Sequence, residues 1–169
     1  MSYLFLTTVF PLCMIFAAVS DIMTMTIPNR LCLLLALAFP VAALLSNMST
    51  SDIAIHLGFG LAAFLLGFAM FAFGLVGGGD AKLLAATAFW IGPAGALPYL
   101  LVATGLGGLM AIGIIYARNM AVPITGYVFA DRLLSQNTGV PYGVALGIAG
   151  LYSYADSVYL TAAIGIPFP

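Results

Sequence analysis

Gly77-Gly78-Gly79-Asp80-Ala81-Lys82 interrupts two long apolar runs with three glycines, an acid and a base. Glycine has no Cβ, so three in succession permit backbone angles and close approaches that other residues forbid. Asp80 stands at the entrance of the helix expected to begin at Ala81. A carboxylate costs roughly 2.5 to 3.5 kcal/mol at the centre of a membrane helix and less near its ends, so something must offset its presence. One reading is structural: Asp is a preferred N-cap residue and suits the positive end of the helix dipole. The other is chemical and depends on a second acid elsewhere in the chain.

Composition sets the setting. The chain has 169 residues, 64% of them hydrophobic and only 5% charged, with a mean hydropathy of +1.20. Soluble domains carry about a quarter charged residues, so this is an all-α integral membrane protein. At about 20 residues per span, the length holds a bundle of about six transmembrane helices, and residues 1–169 are expected to form a single transmembrane domain. The net charge of −1 and the absence of a basic run exclude a nucleic-acid partner. Cys13 and Cys32 lie in apolar runs and read as small buried hydrophobes. With one histidine, His56, and no cysteine pair, neither a zinc site nor another metal centre has its ligands, and no cofactor is expected.

Tyr3 to Ser20 reads as the first span, kept in the mature protein because no Lys or Arg precedes it as a signal peptide requires. A polar break follows from Asp21 to Arg30. Within it, Pro28 biases Ile27 away from helix and Asn29 suits the cap of the next span, Leu31 to Leu45. Ser46 to Asp52 is a loop in which Asp52 reads as a cap. Ile53 to Val76 carries Gly60, Gly67 and Gly74 at steps of seven, a period that keeps them near one helix-packing face. His56 reads as a hydrogen-bonded interfacial residue. Ala81 to Ile91 is a short fourth span broken by Gly92-Pro93 and Pro98. Tyr99 to Tyr116 is the fifth, with Gly105, Gly107, Gly108 and Gly113 as packing residues. Arg118 to Gly139 is the longest polar break; its apolar interior, Ile124 to Phe129, suggests a segment on the membrane surface, and its Asp131 reads as solvated. The last span runs from Pro141-Tyr142-Gly143 to Tyr154, with Tyr152, Tyr154 and Tyr159 as an aromatic belt around a solvated Asp156.

The four basic residues set an orientation. Arg30, Lys82, Arg118 and Arg132 all fall in odd-numbered breaks, so the positive-inside rule places those breaks in the cytoplasm and the N-terminus outside. Asp21 and Asp80 then share one depth at the inner rim, while Asp52, His56 and Asp156 lie near the outer surface. Two carboxylates a few ångströms apart cannot both ionise easily and share one proton. The basic member can deprotonate a bound water as it attacks a peptide carbonyl, and the protonated member can polarise that carbonyl oxygen. A histidine-dependent nucleophile would need His56, which this topology puts on the opposite surface.

These residues carry a specific resemblance. Asp21 followed by Ile27-Pro28-Asn29, then G-x-G-D as Gly77-Gly78-Gly79-Asp80 with Lys82, resembles the type IV prepilin peptidase family. Val140-Pro141-Tyr142-Gly143 is similar to that family's Pro-aromatic-Gly signature. The resemblance implies a bacterial inner-membrane aspartic endopeptidase with Asp21 and Asp80 as its catalytic pair at the cytoplasmic face. Its substrates would be prepilins or pseudopilins with a hydrophobic N-terminal helix, cut after a short basic leader. The lipid bilayer and other pilus-assembly proteins are the remaining partners implied. The family's Cys-x-x-Cys motifs do not occur in this sequence, so N-methyltransferase activity is not expected, and the compact form resembles peptidases of Flp-type, tight-adherence pili. Where members often carry basic residues after the first Asp, this chain has Met23 and Met25, with Arg30 just beyond.

The supporting residues have two readings each. Lys82 tunes the acid pair or meets a substrate carbonyl, or it is a positive-inside anchor. Pro28 and Asn29 touch substrate or shape the second span. Pro141 and Gly143 open a turn beside the site or simply start a helix. Two other functions fit the acids: a small proton-coupled transporter, since intramembrane acids also mark ion paths, and a non-catalytic pilus-assembly subunit that would tolerate their loss.

Overall fold

The computed structural model describes residues 2–120 and 126–164. These form seven helices and, among the described residues, no strand: α1 Ser2–Thr24, α2 Asn29–Leu45, α3 Thr50–Ala72, α4 Gly78–Met120, α5 Val128–Leu134, α6 Tyr142–Ala155 and α7 Val158–Ile164. By length and composition α1, α3 and α4 can each cross a membrane. α2 is a shorter apolar helix of 17 residues, and α6 has 14.

α4 is two helices in one. Gly92 has φ 65 and ψ −177, a combination open only to glycine at no steric cost, and Pro93 follows it. Both ends of α4 lie at the same end of the bundle. Its start, Gly78 to Asp80, shares a cleft with Asp21, while Arg118 near its far end donates to the carbonyls of Leu133 and Gly139 beside α6. The chain therefore reverses at Gly92, and the bundle makes six passes: α1, α2, α3, the two halves of α4, and α6. The break expected across Gly92 to Pro98 is confined to Gly92, because a proline in the first turn of a new helix needs no backbone N–H.

Several helix boundaries and roles differ from those expected. α1 runs four residues further than expected, so Asp21 lies inside its last turns and not in the loop. Ser49, not Asp52, is the N-cap of α3: its hydroxyl accepts from the Asp52 N–H at 3.1 Å and donates to the Asp52 carboxylate at 2.7 Å. The cap of α2 falls on Pro28, and the Asn29 side chain makes no cap bond. Asp80 is not an N-cap either, since α4 begins at Gly78 and places it in the first turn.

Packing centres on one aromatic cluster. Trp90, fully buried, donates its indole N–H to the Leu35 carbonyl at 2.9 Å and meets Phe10, Phe39, Tyr154 and Tyr159 ring to ring. Tyr154 donates its hydroxyl to the Leu6 carbonyl. Tyr154 and Tyr159 are thus core residues, and of the expected aromatic belt only Tyr152 is exposed. Hydropathy had no means of separating a lipid-level tyrosine from one whose ring completes a stack.

The glycines divide by partner. A Cβ at Gly60 would meet the Phe89 ring at 2.2 Å, one at Gly67 the Ala81 carbonyl at 3.2 Å, and one at Gly107 the Tyr142 ring at 2.3 Å. At Gly147 it would lie 2.8 Å from the Met14 carbonyl oxygen, so α6 and α1 touch backbone to backbone there. Gly74 lies beyond α3, and Gly105, Gly108 and Gly113 face open space, so the packing role expected of those four is not theirs in this bundle. Gly147→Ala is expected to lower the thermal unfolding midpoint in detergent by about 5 °C, from an overpacking cost of roughly 1–3 kcal/mol. Gly105→Ala, with free space and a better helix former, should leave the midpoint unchanged or raise it by about 2 °C.

Candidate active site

The end of the bundle that holds Asp21 and Asp80 is built by three chain breaks meeting. After α1, Met25 takes a left-handed backbone with φ 56, uncommon outside glycine. Hydrogen bonds hold the turn: Ser20 donates to the Thr26 carbonyl at 2.8 Å, and the Thr24 and Thr26 hydroxyls meet at 2.7 Å. Thr26 and Ile27 then run without helix to Pro28, as the residue before a proline prefers. Opposite them lies the glycine run, Gly79 close enough to Ile27 that an added Cβ would sit 3.3 Å from the isoleucine Cβ.

Between these walls is a cleft of about 250 Å³, lined by Asp21, Met25, Thr26, Ile27, Asn29, Gly77, Gly78, Gly79 and Asp80. Asp21 and Asp80, distant in sequence, therefore face one space. Asp21 is 5% exposed, whereas Asp80 is half-buried. At Gly77 a Cβ would lie 2.8 Å from the Asp80 carboxylate, so any side chain there would crowd the acid.

The third break supplies a donor. Pro141 precedes α6 as its N-cap, and the first backbone N–H groups of a helix have no partner within it. One of them, from Gly143, donates to Asp21 Oδ2 at 2.7 Å. The positive end of α6 thus rests against the buried carboxylate of a residue that also lines the cleft. The approach requires glycine: a Cβ at position 143 would stand 2.8 Å from both Asp21 Oδ2 and Ile27 Cδ1. Pro141 starts α6, and Gly143, in its first turn, touches Asp21.

Lys82 donates to Asn29 Oδ1 at 2.9 Å, tying the start of α4 to the start of α2 across the cleft rim. Pro28 sets the entry to α2 with φ −63 and ψ 132. All the sequence-derived candidates therefore meet at one end, Asp21, Asp80, Asn29 and the three glycines as cleft lining and Lys82, Pro28, Pro141 and Gly143 as their immediate support. Ile27, of the Ile27-Pro28-Asn29 motif, and Met25 and Thr26 complete the lining; Met25 and Thr26 carry no side-chain signal of it, and their place between Asp21 and Pro28 is their only mark. Asp131, expected to be solvated, is half-buried in α5, and the Ile124 end of the expected surface segment lies outside the described residues. His56, bonded through Nδ1 to the Phe89 carbonyl at 2.8 Å, lines a separate cavity at the other end of the bundle, which keeps it from the acid pair. Among the described residues no group of three or more acid, His or Cys side chains is placed to hold a metal ion.

A helical bundle of membrane type with two carboxylates at one cleft is the class these features define. Residues 8–112 match the model of the type IV leader peptidase family, more than half of the chain, and the protein belongs to that family. The match includes both Asp21 and Asp80 and makes this a peptidase of the type IV leader peptidase kind. No curated protein and no solved structure matched the chain. Gly143→Ala is expected to displace the Asp21 carboxylate and lower the rate of leader-peptide cleavage about 100-fold, the cost of an ångström-scale misplacement, with the variant still inserted and monodisperse in detergent.

Proposed function

We propose that the protein is an aspartic endopeptidase in which Asp21 and Asp80 together activate water for cleavage of a prepilin or pseudopilin leader. The observation that carries this reading is the shared cleft: two carboxylates with room for water and a peptide, walled on one side by glycines. One acid takes the proton of water as it adds to the scissile carbonyl carbon; the other, protonated, donates to the carbonyl oxygen. Collapse of the tetrahedral intermediate breaks the C–N bond and returns a proton to the leaving amine. An extended substrate backbone fits against Gly77 to Gly79, where no side chain intervenes, while the hydrophobic helix of the substrate stays in lipid.

The charge layout supports a cytoplasmic site. Lys82 and Arg30 adjoin Asn29 at the cleft rim, Arg132 donates to the Met23 carbonyl at 2.9 Å, and Arg118 holds Leu133 and Gly139. All four basic residues of the chain therefore gather at the cleft end, which the positive-inside rule assigns to the cytoplasm of a bacterial inner membrane, with the N-terminus outside. The proton-carrier reading has less behind it: among the described residues Asp21 and Asp80 share one end of the bundle, and Asp52 and Asp156 line the cavity at the other.

Asp21→Asn and Asp80→Asn, each alone, are expected to reduce cleavage of a matched prepilin by at least about 10³-fold, read from the new N-terminus of the product, while helicity and membrane insertion are kept. Cleavage at wild-type rate by either variant would refute the assignment. For the rim, Lys82→Met and Asn29→Ala should each slow cleavage about fivefold, the rate equivalent of a net ~1 kcal/mol hydrogen bond. The double variant should be no slower than either single one if the Lys82 to Asn29 bond is what both disrupt.

A further inference from the structure

The bundle has a second, larger cavity at the end opposite the cleft, about 730 Å³ in volume and so within the range of small-molecule sites. Three chain reversals enclose it: the α2–α3 turn, the Gly92 reversal and the α6–α7 joint. Its walls include Trp90, Tyr154 and Tyr159, and its rim carries Asp52 and Asp156. The peptidase reading uses none of these residues.

The hydrogen-bonding inventory of this cavity is lopsided. No Lys or Arg lines it. The Trp90 N–H is already given to Leu35. His56 must donate from Nδ1 to the Phe89 carbonyl, which leaves Nε2 of the neutral ring as an acceptor beside Gly92, where a Cβ would come within 2.4 Å of it. Asp52 and Asp156 offer acceptors only when ionised. Tyr159 is 0% exposed, and its hydroxyl, together with Ser153 Oγ, has no hydrogen-bond partner among the described residues. Buried hydroxyls are seldom left so, and both residues line this space. Acidic rim, aromatic walls and orphan hydroxyls together ask for a ligand that brings N–H donors and positive charge on an apolar body. Cation–π attraction to the tyrosine and tryptophan rings adds to the same preference.

We infer that this cavity binds a primary ammonium group, either the ethanolamine headgroup of a membrane phospholipid or a free amphipathic amine. Trp90, the only tryptophan of the chain, reports on it directly. The full-length protein in detergent is titrated with short-chain phosphatidylethanolamine, with the phosphatidylcholine of equal chain length, and with hexylamine, following tryptophan fluorescence. The expected result is a saturable change with the ethanolamine lipid or with hexylamine, and binding at least about tenfold weaker for the choline lipid, whose nitrogen has no N–H. A response to the lipid alone identifies the bilayer as the source; a response to hexylamine as well identifies any amphipathic amine. Asp156→Asn, which leaves the Ser49 cap of α3 untouched, should weaken binding about tenfold, and Tyr159→Phe several-fold. Absence of a saturable change with both amines, equal affinity for the choline lipid, or unaltered affinity in both variants would overturn the inference. Because the readout is binding at the far end of the bundle, its failure leaves the peptidase reading standing, and failure of that reading leaves this one standing.

Discussion

The hydrogen bond from the Gly143 backbone to Asp21 organises the cleft end of this protein. A carboxylate that is 5% exposed in an apolar bundle is costly unless donors meet it, and here the donor is an amide that its own helix has no use for. Making that bond requires the first turn of α6 to lie against the last turns of α1, with no side chain at position 143. The same approach continues upward, where Gly147 brings α6 to the Met14 carbonyl and Gly150 admits the Met14 side chain. The polar contact and the backbone-close packing of α1 on α6 are therefore one constraint seen at two depths.

A second constraint brings the other acid into place. The reversal at Gly92 folds α4 back so that its first turn and its last meet at the same end. α3 then packs along the first half of α4 through Gly60 and Gly67, which fixes the height at which the glycine run and Asp80 emerge. The Trp90 cluster sits just before the reversal and ties α1, α2, α4 and α6 together in its stack. Positioning of Asp80 thus depends on packing at the far end of the same helix.

Much of this was legible in the chain, for physical reasons. Spans are legible because hydrocarbon tolerates so few polar groups, and the acids stand out because each must be accounted for. Asp21 and Asp80 were readable on that ground, and Ile27-Pro28-Asn29 and the glycine run on the backbone chemistry of proline and glycine. The bond that holds Asp21 was not: its donor is a backbone amide 122 positions away, and amides carry no side-chain signature. Tyr154 and Tyr159 were misplaced because an aromatic at a span's end is equally suited to lipid and to core. Gly105, Gly108 and Gly113 look like Gly60 and Gly67 in sequence; only the neighbours differ. Ser49 and Asp52 have the spacing of a capping box, but the Asp52 carboxylate takes the Ser49 hydroxyl and not its backbone N–H, so sequence alone could assign the cap to either.

Synthesis runs from α1 to α7, and that order bears on Asp21. The α1 carboxylate is made well before the amide that receives it, which lies 122 positions later in α6. Until α6 is threaded in beside α1, Asp21 has no native donor and the cleft lacks its third wall. Assembly of the acid pair is in this way tied to the arrival of α6, and a nascent chain that has emerged only as far as α4 would own both carboxylates without owning the site.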